Sequence, residues 1–292
     1  MLAQLKKLRK NITPSLRLCS AIDPEAEHHL MQLNSRLQDF YNGSVIERYY
    51  QSAEAANSVW HREMKAHWHL MNSIPYGAHV ADLACGSAHP CRNLAALKIR
   101  YTGIDWCAAQ MRRNQRVMQD HFFIVSSMYK TPLHSESFDV TTSFYAIEHT
   151  VWPHRLLDEM YRITRPGGLI AILCPPFRIR NTIKSFNYGL SAKSFQNKLK
   201  SGGLSDIILH LYQRLIAYPV YLKKHYRRGS NHSRFLINLD PVCLERGVWF
   251  PDADAVYLTD TAEIVTYLRN LGAQVVEEWP RHAYVLMRKN LG

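Results

Sequence analysis

The spacing of hydrophobic and polar residues divides the chain into four segments. Residues 1–75 carry apolar side chains at helical spacing together with many aromatic rings, which predicts a helical cap. In residues 76–175 short apolar runs alternate with helical patterns, and this alternation resumes in residues 259–292. Residues 176–258 interrupt it with a strongly apolar helical stretch that ends in basic residues. We therefore predict a core formed by two parts of the chain, a cap before it and an α-helical insertion within it.

The alternation within the core is typical of an α/β fold, in which helices cover both faces of a mostly parallel sheet. The insertion follows the fifth predicted strand, and the last strand is expected to run antiparallel at the end of the sheet. The seven predicted strands are 79–83, 100–104, 122–125, 138–144, 169–174, 274–279 and 282–288, and the predicted core helices are 91–98, 107–119, 153–163 and 260–271.

The composition is that of a globular protein able to bury a full core, with 292 residues of which 47% are hydrophobic. The sequence contains no run of eighteen apolar residues, and its N-terminus lacks the apolar region of a signal peptide. These features predict a cytoplasmic protein. The six cysteines are scattered without a C-x-x-C pair, which predicts buried thiols and no metal site.

The net charge of +12 is concentrated in one segment. Residues 176–234 hold twelve Lys or Arg and a single acid, Asp206, so this window alone carries a charge of +11. A local basic surface favours contact with something anionic and argues against nucleic-acid binding by the whole protein. Three interpretations stay open: peripheral contact with an anionic membrane that admits a lipid-like substrate, direct binding of an anionic substrate, and packing on the domain or on a second subunit of a homodimer.

Residues with functional chemistry follow the predicted strands at the edge where an open α/β sheet binds its ligands. The first strand runs into Asp82-Leu-Ala-Cys-Gly-Ser-Ala88, a turn that can bring backbone N–H groups to a ligand. The second ends at Asp105, placed to accept both hydroxyls of a ribose, and Trp106 beside it offers a ring to a purine. Polar and aromatic residues also follow the third and fourth strands: Ser127, Met128, Tyr145, Glu148 and His149.

Together these motifs resemble the class I S-adenosylmethionine-dependent methyltransferases, over about residues 78–175 and 258–290. The most specific part is Glu148-His149, then a leucine-rich helix, then Arg165-Pro-Gly-Gly168. It looks most like the small-molecule branch that includes the ubiquinone and menaquinone C-methyltransferases. The resemblance implies a Rossmann-like seven-stranded sheet, S-adenosylmethionine as cofactor, and methyl transfer to a small organic acceptor that is hydrophobic or anionic. The full G-x-G-x-x-G of a nicotinamide-binding domain is absent.

The resemblance also implies which individual residues bind the cofactor. Asp82 would orient the turn and the amino-acid end of the cofactor, and Asp105 would bind the ribose. Ala84 and Ala88 stand where the family usually has glycine, and Ser127 where an acid commonly contacts the adenine. Since alanine tolerates a close backbone approach better than any larger residue, cofactor binding is expected to be retained. The full set of expected cofactor contacts is Asp82, Ala84, Gly86, Asp105, Trp106, Ser127, Met128 and Tyr145.

The candidates for catalysis are His149 and Glu148 as a base and Tyr145 as a hydrogen-bonding orienter. Because Glu-His belongs to the family's shared pattern, a structural part in shaping the cofactor pocket is favoured over acid–base work. Two alternatives stand beside an enzyme acting on a small molecule. One is a non-catalytic cofactor-binding or interaction protein on the same fold, and the other, less favoured, is an RNA methyltransferase, which only the basic insertion suggests.

Overall fold

The computed structural model describes most of the core and parts of the cap and insertion. The described residues are 16–20, 24–43, 65–175, 178–179, 182–183, 200, 207–208, 211, 215–216, 219–220, 223, 234–241, 243–244, 254–279 and 284–291. Residues 1–15, 21–23 and 44–64 of the predicted helical cap, and much of the apolar stretch in the insertion, lie outside them.

The described elements alternate along the core as predicted. In chain order they are β1 (Leu16–Ser20), α1 (Pro24–Asn42), α2 (Lys65–Ser73), β2 (His79–Leu83), α3 (His89–Asn93), β3 (Arg100–Asp105), α4 (Ala108–Val117), β4 (Phe122–Val125), β5 (Phe138–Phe144), α5 (Pro153–Ile163), β6 (Thr164–Leu173), β7 (Arg178–Ile179), β8 (Thr182–Ile183), β9 (Arg234–Asn238), α6 (Thr261–Asn270), β10 (Ala273–Trp279) and β11 (Tyr284–Lys289). Short 3-10 turns cover Ala95–Leu97 and Ile147–His149, so the helix expected over residues 91–98 is divided into two pieces.

A seven-stranded sheet forms the centre of the molecule, in the order β10-β11-β6-β5-β2-β3-β4. The strands β6, β5, β2, β3 and β4 pair in parallel, whereas β11 pairs antiparallel with both β10 and β6. The predicted Rossmann-like α/β fold and its antiparallel last strand are therefore confirmed. The chain order reverses between β2 and β5, and the crevice beyond their carboxyl ends is where such a sheet binds ligands.

Both faces of the sheet are buried under apolar side chains. Val80 and Ala81 are neighbours in β2, yet they belong to two different core clusters. Leu169 and Ile170 in β6 divide in the same way. Successive strand residues point to opposite faces, so the apolar runs read from the sequence fill a core on each side of the sheet.

The segment Arg165-Pro-Gly-Gly168 lies inside β6, where a turn before the strand was expected. The register of β6 against β5 shifts across this segment. Gly167 has a φ of 76°, and a Cβ on Gly168 would lie 2.7 Å from Thr164 Cγ2 and 2.9 Å from the Asp139 carbonyl oxygen. Glycine is required at both positions because the strand bulges here in close contact with its neighbour.

Strands occur in two segments that were expected to be helical. β1 in the cap pairs antiparallel with β9 in the insertion, with Leu16 opposite Asn238 and Ser20 opposite Arg234. β7 and β8 also pair within the insertion. The expectation of an entirely helical cap and insertion is corrected for these strands. Five residues with alternating leucines are too short a pattern to be separated from the helical spacing around them.

Candidate functional site

The turn that follows β2 has a left-handed backbone at alternate residues. The φ angle is 57° at Ala84, 48° at Gly86 and 56° at Ala88. This conformation is open to glycine but costs an L-residue roughly 1 kcal/mol. The two alanines therefore adopt the left-handed backbone conformation that is typical of glycine.

Side chains from β3 and α4 hold this turn in place. The Gly86 N–H donates to Asp105 Oδ2 at 3.0 Å, and the Gly86 carbonyl accepts from Asn114 Nδ2 at 2.7 Å. Gln110 in turn donates to Asn114 Oδ1 at 2.9 Å. Asn114 is buried, and the sequence did not indicate it, because one asparagine within a helical pattern is usually solvent-facing.

Asp82 lies below the turn, inside the sheet. Its carboxyl group accepts hydrogen bonds from Tyr101 Oη at 2.5 Å and Thr142 Oγ1 at 2.8 Å, so it connects β2 to both β3 and β5. Burial raises the pKa of Asp82 to about 7, although these hydrogen bonds oppose the rise. The described contacts make Asp82 a link between three strands at the point where the strand order reverses. Its contact with a cofactor stays a prediction.

Asp105 ends β3, and each of its carboxylate oxygens accepts a backbone N–H. Oδ1 accepts from Cys107 at 2.9 Å, and Oδ2 accepts from Gly86. Burial raises the pKa of Asp105, and the hydrogen bonds oppose this shift. The Trp106 N–H also lowers the pKa of this carboxyl group, and a carboxylate with about four acceptor positions still has room for a ribose hydroxyl. Asp105 can thus make the ribose contact expected of it and also hold the turn in place.

Two of the three residues expected to line the adenine pocket pack in one apolar cluster. Trp106 is half-buried and Met128 is buried, and both pack in the same apolar cluster. Ser127 is exposed, and its hydroxyl accepts the Tyr129 N–H at 3.2 Å, which closes a turn after β4. Trp106 and Met128 therefore pack in the same cluster, whereas Ser127 lies on the surface.

Tyr145 follows β5 with an unusual backbone. Its φ is 53°, which is rare for a bulky residue, and its N–H donates to the Leu173 carbonyl at 2.6 Å. Burial, together with the nearby Glu148 charge, raises the pKa of Tyr145 above its usual range, so the phenol stays protonated at neutral pH. Residues held in such conformations cluster at functional sites.

Glu148 and His149 lie in the 3-10 turn that follows. Glu148 is buried, whereas the His149 side chain is 22% exposed. Nε2 of His149 lies 3.7 Å from Glu148 Oε1, and Nδ1 lies 3.4 Å from Oδ2 of Asp254. The ring therefore sits between two carboxylates. The sequence indicated only one of them, because nothing in the pattern around residue 254 marks that acid.

Tyr41, near the end of α1, completes this group. Its hydroxyl donates to Asp254 Oδ2. Its ring centroid lies 6.2 Å from that of His149 and 5.9 Å from that of Trp106. The cap, the turn after β5 and the C-terminal end of the insertion therefore meet at one place, next to the residues expected to line the cofactor pocket.

The cysteines take no part in this group. All six are free and buried, as expected. Burial raises the pKa of the Cys85 and Cys174 thiols well above the usual range, which keeps them protonated and unreactive. Within the described ranges, no His, Cys, Asp or Glu side chains form a group of three that could hold a metal ion. No helix in the same ranges has the length and apolar character needed to span a bilayer.

Comparison with known proteins matches residues 81–172 to the family described as "Methyltransferase domain". The chain is similar to demethylmenaquinone methyltransferase of Paenarthrobacter aurescens, with 28% identity over 99 residues, which are 34% of this chain and 39% of that protein. It is also similar to 2-phytyl-1,4-naphtoquinone methyltransferase of Thermosynechococcus vestitus, with 30% identity over 122 residues, 39% of this chain and 52% of that protein. The chain thus spans about half or less of these relatives.

A solved structure also aligns with most of the chain. It is 1,6-didemethyltoxoflavin-N1-methyltransferase of Burkholderia thailandensis, with bound 1,6-didemethyltoxoflavin and S-adenosylhomocysteine. The alignment covers 94% of this chain and 95% of that one, with 14% identity and a TM-score of 0.48.

Proposed function

We propose that the protein is a class I S-adenosylmethionine-dependent methyltransferase that methylates a small organic acceptor, a proposal supported by the match of residues 81–172 to the family described as "Methyltransferase domain". S-adenosylmethionine is the cofactor of this domain. The observation that carries the proposal is the crevice beyond β2, β3 and β5, where the left-handed turn, Asp105 and the Tyr145–His149 segment meet. An open α/β sheet binds its ligand at this place.

Cofactor binding is assigned to the residues around the turn. Asp105 accepts hydrogen bonds from the ribose hydroxyls, and Trp106 packs on the adenine with Met128 lining the same pocket. The backbone of Ala84 and Gly86 passes close to the amino-acid end. Asp82 supports them from within the sheet, and Ser127 and Tyr145 border the pocket. When bound, S-adenosylmethionine supplies an electrophilic methyl group on a sulfonium.

A hydrophobic acceptor is favoured by the apolar surface of the insertion. Among its described residues, five large apolar side chains are between 39% and 65% exposed: Ile208, Leu211, Leu215, Ile216 and Val220. Several exposed apolar side chains within one segment favour an interaction surface there. The names of the two curated relatives indicate naphthoquinone substrates, one of which has a phytyl chain. The acceptor class that fits both observations is an aromatic ring system with a lipid-like chain.

Peripheral contact with an anionic membrane is part of this proposal, since an acceptor of that class is found in membranes. Lys223 is exposed beside the apolar residues, and the sequence continues through Lys224 to Arg227 and Arg228. Each basic residue near an anionic surface contributes about 1 kcal/mol, and the apolar side chains add to the binding by burial among the lipids. Dimer formation stays a prediction of the sequence.

Calorimetric titration with S-adenosylmethionine tests the cofactor assignment. Asp105→Ala should weaken binding about tenfold or more, because the ribose hydroxyls lose charged hydrogen-bond acceptors. Asp120→Ala, which removes an exposed acid between α4 and β4, is the control and should bind as the parent does. Unchanged affinity in Asp105→Ala would refute the ribose contact, and absence of binding to the parent protein would refute the proposed function.

Acceptor chemistry is tested by release of S-adenosylhomocysteine in the presence of reduced naphthoquinones with and without a prenyl chain. Turnover that needs the chain supports the acceptor class, and turnover only with short anionic acceptors contradicts it.

Membrane contact is tested by co-sedimentation with vesicles of phosphatidylglycerol or of phosphatidylcholine. We expect binding to the anionic vesicles that falls with salt and is lost in Leu215→Glu. Phe122→Glu is the matched control, because Phe122 is 70% exposed in the edge strand β4 and should not contribute. Equal sedimentation of the two variants would rule out the insertion as the contact surface.

A further inference from the structure

We infer that Asp254 is a positioning residue that sets His149 as the base for the acceptor's proton, an inference that rests on the proposed function. Nδ1 of His149 lies 3.3 Å from the Asp254 carbonyl oxygen and 3.4 Å from its Oδ2. Both neighbours are hydrogen-bond acceptors. Glu148 Oε1 lies 3.7 Å from Nε2, farther than either acceptor lies from Nδ1, so the neutral ring carries its proton on Nδ1 and its lone pair on Nε2.

The segment that carries Asp254 is fixed on two sides. Toward the site, the N–H groups of Val256 and Tyr257 both donate to the Glu148 carbonyl, at 2.7 Å and 2.9 Å. Toward β9, the Asn238 N–H donates to the Val256 carbonyl at 2.7 Å, and the Leu258 N–H donates to the Leu236 carbonyl at 2.9 Å. Asp254 is therefore attached through the backbone to the same turn that carries His149.

Tyr41 fixes the carboxylate itself. Its hydroxyl donates to Oδ2 of Asp254, the oxygen that also faces His149 Nδ1. One oxygen thus receives a hydrogen bond from the cap and faces the imidazole of the β5 turn. A buried carboxylate held in this way keeps the ring in one orientation, as an orienting acid does in other acid–histidine pairs.

This arrangement defines a balanced proton transfer. The bond between hydrogen and the acceptor atom breaks, the proton moves to Nε2 of His149, and the electron pair stays on the acceptor atom. The resulting imidazolium lies between the carboxylates of Asp254 and Glu148, which stabilise its charge. These two acids and Tyr41 are titratable groups with described contacts to the ring.

The test follows the His149 ring by NMR in protein labelled with 15N at histidine. His149→Gln identifies the signal by its loss. We expect the neutral ring to carry its proton on Nδ1, and we expect Asp254→Asn to lower the titration midpoint by about one pH unit, because one flanking charge is removed. Tyr41→Phe, a second variant that keeps the aromatic ring, should raise the midpoint, because Asp254 loses a competing donor.

Asp158→Asn is the matched control. Asp158 also accepts a hydrogen bond from a tyrosine, Tyr267 Oη at 2.8 Å, but its described contacts lie outside the site, so the His149 midpoint should not move. A proton on Nε2, or an unchanged midpoint in both Asp254→Asn and Tyr41→Phe, would overturn the inference. Neither result depends on cofactor binding, so failure of the proposed function is recognised separately in the calorimetric titration.

Discussion

Replacing the two alanines of the left-handed turn by glycine should have different effects on stability at the two positions. Both residues have φ near 57°, where an alanine is less stable than a glycine by about 1 kcal/mol even after the greater flexibility of glycine in the unfolded chain is counted. The two positions differ in how deeply the alanine methyl group is buried. Ala88 is fully buried, whereas Ala84 is half-buried.

The stability gained by relieving the left-handed backbone can be compared directly with the stability lost when the methyl group is removed. Loss of a buried methyl costs about 0.8 kcal/mol, and any cavity left behind adds to this cost. Ala88→Gly should therefore change the free energy of unfolding by about zero, because relief of the backbone and loss of packing cancel. Ala84→Gly loses less packing and should stabilise the protein by about 0.5 to 1 kcal/mol.

Urea denaturation followed by circular dichroism measures the difference. Ala96→Gly is the control, since Ala96 is exposed in the 3-10 turn Ala95–Leu97 and has no positive φ; it should destabilise by about 0.5 to 1 kcal/mol. If Ala84→Gly destabilises the protein as much as Ala96→Gly does, the left-handed backbone at residue 84 imposes no strain and the reasoning fails.

Two further changes test the packing and the charges below the turn. Gly103→Ala should lower stability by about 1 to 3 kcal/mol in chemical denaturation, because its Cβ would lie 2.8 Å from Cys85 Sγ and 2.9 Å from a Phe123 ring carbon; full stability would contradict the packing. Asp82→Asn should alter the pH dependence of stability. Since the pKa of Asp82 is raised to about 7, the folded state binds the proton more tightly than the unfolded state, and stability should fall as pH rises from about 4 to 7. The variant should lack this fall, and parallel urea midpoints for the two proteins across that range would disprove the raised pKa.

The core of the fold could be predicted because its signals are local. Each apolar run of the parallel sheet lies between turn residues, and α5 begins and ends at the residues predicted for it. The Pro-Gly-Gly segment was also recognised, but its conformation was not, because the bulge depends on the approach of β5, which no local pattern contains. Strand β1 was missed for the same reason, since its partner lies more than 200 residues away.

The residues of the candidate site differ in the same way: some have a local sequence signal, and others make contacts that form only in the folded chain. Asp105 and the Glu148-His149 pair were recognised because each follows a strand of the sheet, and parallel strands bring their carboxyl ends to one edge. Tyr41 and Asp254 were not connected, since 213 residues separate them and the contact exists only after the cap and the C-terminal end of the insertion have folded onto the core. Asn114 shows that even a residue within the core gives no signal when its part is to bind a backbone carbonyl.

The structure also explains why the turn can depart from glycine. Ala88 is buried in the apolar cluster on one face of the sheet, so its methyl group points into the core and cannot obstruct a ligand in the crevice. Ala84 is half-buried against the other cluster, so only this methyl is placed where it can narrow the approach. Asp105 and Asn114 hold Gly86 between the two alanines, which maintains the left-handed backbone without glycine on either side. In the proposed cofactor site, the methyl group of Ala84 is therefore the one of the two that is placed to meet the ligand.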